Sequence, residues 1–491
     1  MYLLGIDIGT SSVKVSVVDV QHRKSIASAH FPESEAEIIS LQPGWAEQSP
    51  RDWWLYTQQA ILKVNASGSF DPKQIQAIGI AYQMHGLVLV DKDQNLLRDS
   101  IIWCDSRAVN IGEMALNAIG SKYCLEHLLN SPGNFTASKL RWVRENEPDC
   151  YSKIYKIMLP GDYIGMKLSG EITTSIPALS EGILWDFKRD EVSREILDYY
   201  QIDRELIPDI RPLFSVHGQL KSGIAALLGL TAGIPISYKA GDQPNNALSL
   251  NVFNPGEVAA TAGTSGVIYA VSGSLTAEKQ SRVNSFAHVN YSKNHKRTGV
   301  LMCINGAGSL NRWAKFNLAP ELTYAELNML ASTSPPGSRG LKVIPFGNGA
   351  ERMLNNRFTG AKFLDIDLNI HSRAEIFRAV QEGIAYSFRY GLDILKENDL
   401  QPEIIKAGLA NLFLSDLFAQ TFADLTNIPL ELYHNDGCAG AALGAGIGAG
   451  IFQSTQEAFS SQKVVKRFDP VSSKSYEPFY DQWKSILNNS L

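Results

Sequence analysis

Nothing in the 491 residues gathers positive charge: 45 Lys and Arg stand against 50 Asp and Glu, the formal net charge is −5, and neither half carries a dense basic block. The electrostatic footprint of a nucleic-acid binder is therefore missing, and a small-molecule substrate becomes the default. Cysteine is scarce and scattered, at Cys104, Cys124, Cys150, Cys303 and Cys438, with no CxxC pair. That excludes a disulfide framework and a zinc ribbon and suits free thiols in a reducing compartment. No apolar run reaches the ~20 residues a membrane helix needs. The Gly/Ala-rich stretch from Gly437 to Ile451, with GxxxG spacings at Gly440/Gly444 and Gly446/Gly450, falls short and reads as a helix closely packed inside a domain. The opening MYLLGIDIGT leads straight into a strand without a basic region or a cleavage site, so no export is expected and the cytoplasm is the expected compartment. A GxxxxGK[ST] phosphate loop is also absent.

What is present is core-forming material. Hydrophobic residues make up 44% and charged residues 19%, enough apolar side chains to pack a chain of this length as two large domains, with the division expected near 1–244 and 245–491. Leu3 to Val20 reads as strand, tight turn at Gly9-Thr10-Ser11-Ser12, strand; Glu257 to Val271 repeats that design around Gly263-Thr264-Ser265-Gly266. Two GTS turns in one context, about half the chain apart, imply an internal duplication with related cores. Ile75 to Tyr82 and Leu87 to Val90 read as further strands, Pro50 to Val64 and Val192 to Tyr199 as helices, and Leu228 to Gly241 as the crossover region, which together give an α/β architecture.

The residues able to carry chemistry cluster at the ends of these elements. In each GTS turn glycine admits close backbone approach while Thr and Ser add hydroxyls beside exposed N–H groups, a set suited to phosphate oxygens. Asp7 ends the first strand two residues before its turn, where a carboxylate near polyphosphate calls for magnesium between them. Asp242, in KAGDQPNNA, reads as a sharp loop at a strand end and is a candidate to orient an alcohol and accept its proton. Gln83-Met84-His85-Gly86 follows a strand and offers an amide and an imidazole to the hydroxyls of a polyol. In IIWCDSR, alternation would point Trp103, Asp105 and Arg107 to one side, an aromatic face with polar neighbours that fits a sugar.

Taken in order, GIDIGTSSVK at Gly5, PGWAEQSPRDWW at Pro43, QMHG at Gln83, IIWCDSR at Ile101, AGDQPNNA at Ala240, AGTSG at Ala262, GNGAERM at Gly347 and RAVQEGIAYSFR at Arg378 resemble the FGGY carbohydrate kinases over essentially the whole chain. Within that family the Gly44 to Gln48 stretch and the Gln83 tetrad look like xylulokinases. The resemblance implies two RNase H-like domains of the actin and hexokinase type flanking a catalytic cleft, the N-terminal one for sugar and the C-terminal one for most of the nucleotide. It implies ATP and Mg²⁺, and transfer of the γ-phosphoryl group to the 5-hydroxyl of D-xylulose, with a kinase for ribulose, glycerol or gluconate, or a non-catalytic sugar sensor, as alternatives. Carried over residue by residue, Met84 and His85 would touch the sugar with Gln83, Trp103 and Asp105 nearby, Asp242 would be the base, and Asp7 with Asp242 would sit by the metal. Gly9, Thr10, Ser11, Gly263, Thr264 and Ser265 would face the phosphates, and Gly408 and Gly437 the adenosine. The chain departs from the family pattern at KAGLANLFLSDLF, which keeps Gly408 without its glycine neighbours, and at Ser180-Glu181-Gly182, where small residues are expected. The expected partners are a small-molecule sugar and ATP, with no nucleic acid and no membrane; a homodimer is compatible with this reading.

Overall fold

Tyr2–Ile8 is buried on both faces along most of its length, the pattern of a central strand, and as β1 it anchors the first sheet. It turns antiparallel into β2 (Val13–Asp19), which pairs antiparallel with β3 (Lys24–Phe31). On its other side β1 runs parallel to β4 (Ile75–Tyr82). The edge strand β5 (Gly218–Gln219) pairs antiparallel with β6 (Pro235–Gly241), and β6 runs parallel to β4, so the strand order is β5-β6-β4-β1-β2-β3. The computed structural model describes residues 1–275, 277–471 and 473–491.

The second sheet repeats the arrangement. Strands β7 (Glu257–Ala262) and β8 (Gly266–Ser272) form an antiparallel hairpin, followed by β9 (Asn284–Ala287), β10 (Thr298–Ile304), β11 (Ile404–Gly408), β12 (Leu430–Tyr433) and β13 (Val464–Phe468). Their order is β9-β10-β8-β7-β11-β12-β13, with β7, β11 and β12 mutually parallel. Each GTS turn thus joins the first two strands of a sheet whose central strand carries the hairpin on one side and parallel strands on the other. The duplication implied by the turns is a duplication of RNase H-like topology.

Helices complete the layers. In the first unit α1 (Pro50–Asn65) starts with Pro at its first position, where no N–H is needed, and buries Trp53, Thr57, Ala60, Ile61 and Val64 along one stripe. The helices α2 (Thr136–Asn146), α3 (Ile176–Glu181) and α4 (Asp242–Ser249) carry residues of the site. In the second unit α5 (Ala307–Leu318), α6 (Arg373–Glu397) and α7 (Asp416–Thr426) pack around a core that includes Ile268, Phe388 and Phe422. A capping box between Ser372 and Glu375 starts α6. No helix among the described residues is long and apolar enough to cross a membrane.

The last helix of the site, α8 (Gly437–Gly448), returns to the first sheet. A Cβ on Gly5 would lie 1.7 Å from the Cys438 carbonyl oxygen, one on Gly79 1.9 Å from that of Ala441, and one on Gly448 1.9 Å from that of Ser237. Backbone meets backbone here, which only glycine permits. The small-residue stretch therefore packs closely against its sheet, as its GxxxG spacing implies. The two compact units are Met1–Phe253 with Phe286–Thr298 and Asp436–Gln462, and Asn254–Ser285 with Gly299–Asn435 and Lys463–Leu491. They differ from a single division at 244/245 because residues 286–298 and 436–462 come back to the first unit.

Most expected elements appear in place. The Val192 to Tyr199 helix starts two residues late, at Arg194, because Ser193 caps it by accepting the Ile196 N–H, while Glu191–Val192 is a short strand.

Candidate active site

The first GTS turn is held from its side chains. The Thr10 hydroxyl donates to Gln83 Oε1 (3.2 Å) and accepts from Trp103 Nε1 (3.0 Å), while Gln48 Nε2 donates to the Thr10 carbonyl (2.7 Å). Gln83 Nε2 donates in turn to Gln48 Oε1 (2.9 Å). The Gln83 amide is thus committed to bracing the turn, while Trp103, 52% exposed, presents its indole above it. The backbone N–H groups of Thr10 and Ser11 donate to none of the described residues.

Of the expected grouping of Trp103, Asp105 and Arg107, Asp105 and Arg107 pair with each other, while Trp103 is half-exposed over the first GTS turn. The strand is only Ser100–Ile101, the chain then turns, and alternation is lost. Asp105 is 1% exposed, and its carboxylate accepts the N–H of Ala46 (2.7 Å), the N–H of Arg107 (2.8 Å) and Arg107 Nε (2.9 Å). Arg107 also donates to Glu47 and lies over the Trp45 ring at 3.9 Å. The Asp105 carboxylate is thus committed to a buried network within the protein.

His85 takes its place at some conformational expense. Its φ of 63° is left-handed, a strain of roughly 1–3 kcal/mol for a residue other than glycine. Three contacts hold it: its N–H donates to Glu181 Oε1 (3.2 Å), Nδ1–H donates to the Glu181 carbonyl (3.1 Å), and its own carbonyl accepts from Lys139 Nζ (2.8 Å). The Nδ1–H tautomer leaves Nε2 as the acceptor of the neutral ring, the polarity that receives a hydroxyl proton. Phe135 and Phe286 flank the ring at 4.9 and 5.3 Å. Lys139, 0% exposed, donates also to the Ile102 carbonyl (2.9 Å); burial pulls its ammonium down to about 7.

Asp242 differs from the expected loop: it is the first residue of α4, directly after β6. A carboxylate in the first turn faces the positive end of the helix, and Pro244 is tolerated there, so the same Gly, Pro and Asn residues that suggest a loop start a helix. Withdrawal from water, then repulsion by Asp7, push the Asp242 carboxyl up to about 7. Asp7 is raised as well, by burial and by Asp436, with Lys14 opposing. Asp436 caps α8, accepting the Cys438 N–H (2.9 Å) and the Ser16 hydroxyl (2.5 Å). Gly437 therefore lies in the first unit: Asn245 Nδ2 donates to its carbonyl (2.9 Å), and a Cβ there would come within 3.6 Å of Asp7 Oδ2. Asn245 Oδ1 is buried without a partner.

In the second unit the turn at Gly263-Thr264-Ser265 is held through its carbonyls, which accept the N–H groups of Gly308 and Ser309 (both 3.0 Å) at the start of α5. Its Thr264 and Ser265 amides donate to none of the described residues. The turn lines a cavity of ≈ 330 Å³ with Asn311, Arg312, Asn328 and Asn411. Buried Glu351 steadies the α5 entrance by accepting the N–H groups of Asn305 (3.0 Å) and Gly306 (3.1 Å), and burial raises it to about 7. Gly408 ends β11, where a Cβ would meet Asn435 at 3.3 Å.

Two family models match the chain in order, the N-terminal domain of the FGGY family of carbohydrate kinases over residues 2–249 and its C-terminal domain over 258–451. The chain belongs to the FGGY family of carbohydrate kinases. A xylulose kinase of Haemophilus influenzae is 29% identical over 508 aligned positions, covering 99% of each chain. A xylulose kinase of Klebsiella pneumoniae is 29% identical over 91% of this chain and 88% of its own. The crystal structure of xylulose kinase from Rhodospirillum rubrum superimposes with a TM-score of 0.88 at 25% identity, covering 100% of this chain and 99% of that one.

This FGGY kinase therefore transfers a phosphoryl group to a carbohydrate, and its two sheets are those of the actin and hexokinase-like fold. Among the described residues no group of three or more His, Cys, Asp or Glu forms a metal cage. Asp7 and Asp242 still fit magnesium: both are hard oxygen donors whose ionised forms are disfavoured by burial and by a neighbouring carboxylate, a penalty a cation would relieve, and magnesium takes only one or two carboxylates beside substrate phosphates. Sequence reasoning missed Glu181 as a site group, Lys139, Asn245 and Asp436. Asn245 lay in the quoted AGDQPNNA segment and Glu181 in the Ser180-Glu181-Gly182 departure, while Lys139 and Asp436 carried no signal.

Proposed function

We propose that this kinase transfers the γ-phosphoryl group of ATP, with Mg²⁺, to the 5-hydroxyl of D-xylulose, giving D-xylulose 5-phosphate and ADP. The observation that carries the reading is Asp242, a carboxyl balanced near neutrality beside Asp7 and next in sequence to Gly241, which touches Met84. The xylulose kinases among its relatives support the choice of sugar. A sugar hydroxyl donates to Asp242. As its oxygen bonds to the γ-phosphorus, Asp242 takes the proton, and the bond from phosphorus to the β,γ-bridging oxygen breaks with its electron pair left on ADP. Positioning and charge stabilisation supply most of the acceleration in such a loose transition state, and the base supplies a part.

His85 Nε2 accepts a second hydroxyl, Met84 supplies an apolar wall and Trp103 an aromatic face for the C–H side of the sugar. Phosphate oxygens are assigned to the open amides of Thr10 and Ser11 and, in the second unit, of Thr264 and Ser265. Mg²⁺, held by Asp7 and Asp242, would neutralise charge on the phosphates. The neutral ketose is favoured over an aldonic acid because the buried ammonium of Lys139 is directed at backbone carbonyls rather than at a carboxylate.

A coupled assay of ADP release across pentuloses, hexuloses, glycerol and gluconate tests this. The highest kcat/KM is expected with D-xylulose. A higher value with another compound reassigns the substrate, and ADP release that no sugar stimulates would make the chain a sensor.

A further inference from the structure

Glu181 ends α3 and is 1% exposed. Its Oε1 is taken by the His85 N–H. Its Oε2 has no hydrogen-bond partner among the described residues. That oxygen faces the corner where the sugar-reading tetrad meets the base: a Cβ on Gly241 would lie 2.7 Å from Glu181 Oε2 and 2.6 Å from Met84 Cγ, and Asp242 is the next residue. We propose that Glu181 is a further substrate-binding residue, its Oε2 hydrogen-bonding one hydroxyl of the neutral sugar beside Asp242. This deepens the reading of the acceptor site given above and rests on it.

The chemistry of the pocket explains why such a group is kept there. Burial first, and then repulsion from Asp242 and Asp162, raise Glu181 well above the usual carboxyl range, against the opposing His85 N–H and the Lys139 ammonium. Oε2 is thus a polar atom on a buried side chain with no hydrogen-bond partner among the described residues. Such a group costs free energy until a ligand oxygen meets it, so a hydroxyl at this point gains a hydrogen bond that water would otherwise have supplied. A site built to bond one hydroxyl rejects the analogue lacking it, which makes Glu181 a specificity determinant as well as a contact. Gly241 is required by the same arrangement, since any larger residue would displace Oε2 or Met84.

Kinetics of Glu181→Ala and Glu181→Gln on the sugar and on its monodeoxy analogues test the proposal. Glu181→Ala should lower kcat/KM for the sugar about 10- to 100-fold with KM for ATP unchanged, and the loss should shrink to about threefold or less on the one analogue lacking the hydroxyl that is read. Glu181→Gln, a neutral donor of similar size, should stay within about tenfold of wild type on the sugar. If Glu181→Ala does not fold, Glu181→Met, of similar length and unable to donate, replaces it. An equal loss on the sugar and every monodeoxy analogue would assign Glu181 to bracing His85 only, and no loss on any of them would remove it from the site; either overturns the proposal. Wild-type turnover tests the choice of D-xylulose, whereas the variant-to-wild-type ratio, measured on whichever neutral sugar the wild-type enzyme phosphorylates fastest, tests Glu181. The two can therefore fail separately.

Discussion

The two GTS turns are the same tripeptide between the same two strands of related sheets, yet the protein binds them differently. In the first, the Thr10 hydroxyl is shared between Gln83 and Trp103 and its carbonyl accepts from Gln48. In the second, the carbonyls of Gly263 and Thr264 accept the first amides of α5, and Thr264 lines a cavity. In both, two backbone N–H groups donate to none of the described residues. The duplicated motif thus keeps its backbone arrangement while the side chains that surround it differ.

The sharpest way to break this comparison is to remove the packing that fixes the first turn in place. Gly79→Ala puts a methyl 1.9 Å from the Ala441 carbonyl and should lift α8 off β4, costing about 4 kcal/mol or more and leaving little folded enzyme. Thermal unfolding or the soluble yield checks this, and a near-wild-type Tm would contradict the close packing. The turns themselves separate in kinetics. Thr10→Val should raise KM for the sugar by about 5- to 50-fold through Gln83 and Trp103 and leave KM for ATP nearly unchanged, while Thr264→Val should do the reverse. A rise in KM for ATP alone on Thr10→Val would make the two turns equivalent phosphate binders.

A smaller effect sharpens the electrostatic side of the same contrast. Asp242 titrates near 7 when folded against an ordinary 3.8, so between these values the folded protein holds a proton the unfolded chain has lost, and this group costs stability as pH rises through that window. In enzyme free of metal and nucleotide, Asp242→Asn should therefore raise Tm by about 2–5 °C at pH 8, with the gain fading as pH falls toward 4. An unchanged Tm at pH 8 would mean that Asp242 is not held against its own charge.

Local pattern carried much of this structure. Ile75–Tyr82, α1 and both hairpins follow from apolar runs and turn residues, and the glycines of α8 from their spacing. Side-chain commitments were less legible. Trp103, Asp105 and Arg107 read as one face only if the strand continues, and it stops at Ile101 because the Asp105 carboxylate captures backbone amides and turns the chain. Asp242 read as a loop because Gly and Pro mark loops and helix starts alike. Glu181 reaches His85 across 96 residues and Asp436 reaches Ser16 across 420, and no window of sequence joins such partners.

The most direct test of the account is kcat of Asp242→Asn at saturating sugar and Mg–ATP. The substitution keeps the size of the side chain and removes its negative charge and its ability to take a proton. A base in this position predicts a fall of about 10²- to 10⁴-fold with KM for ATP little altered. Turnover within a few-fold of wild type would contradict it and shift the role to Asp7.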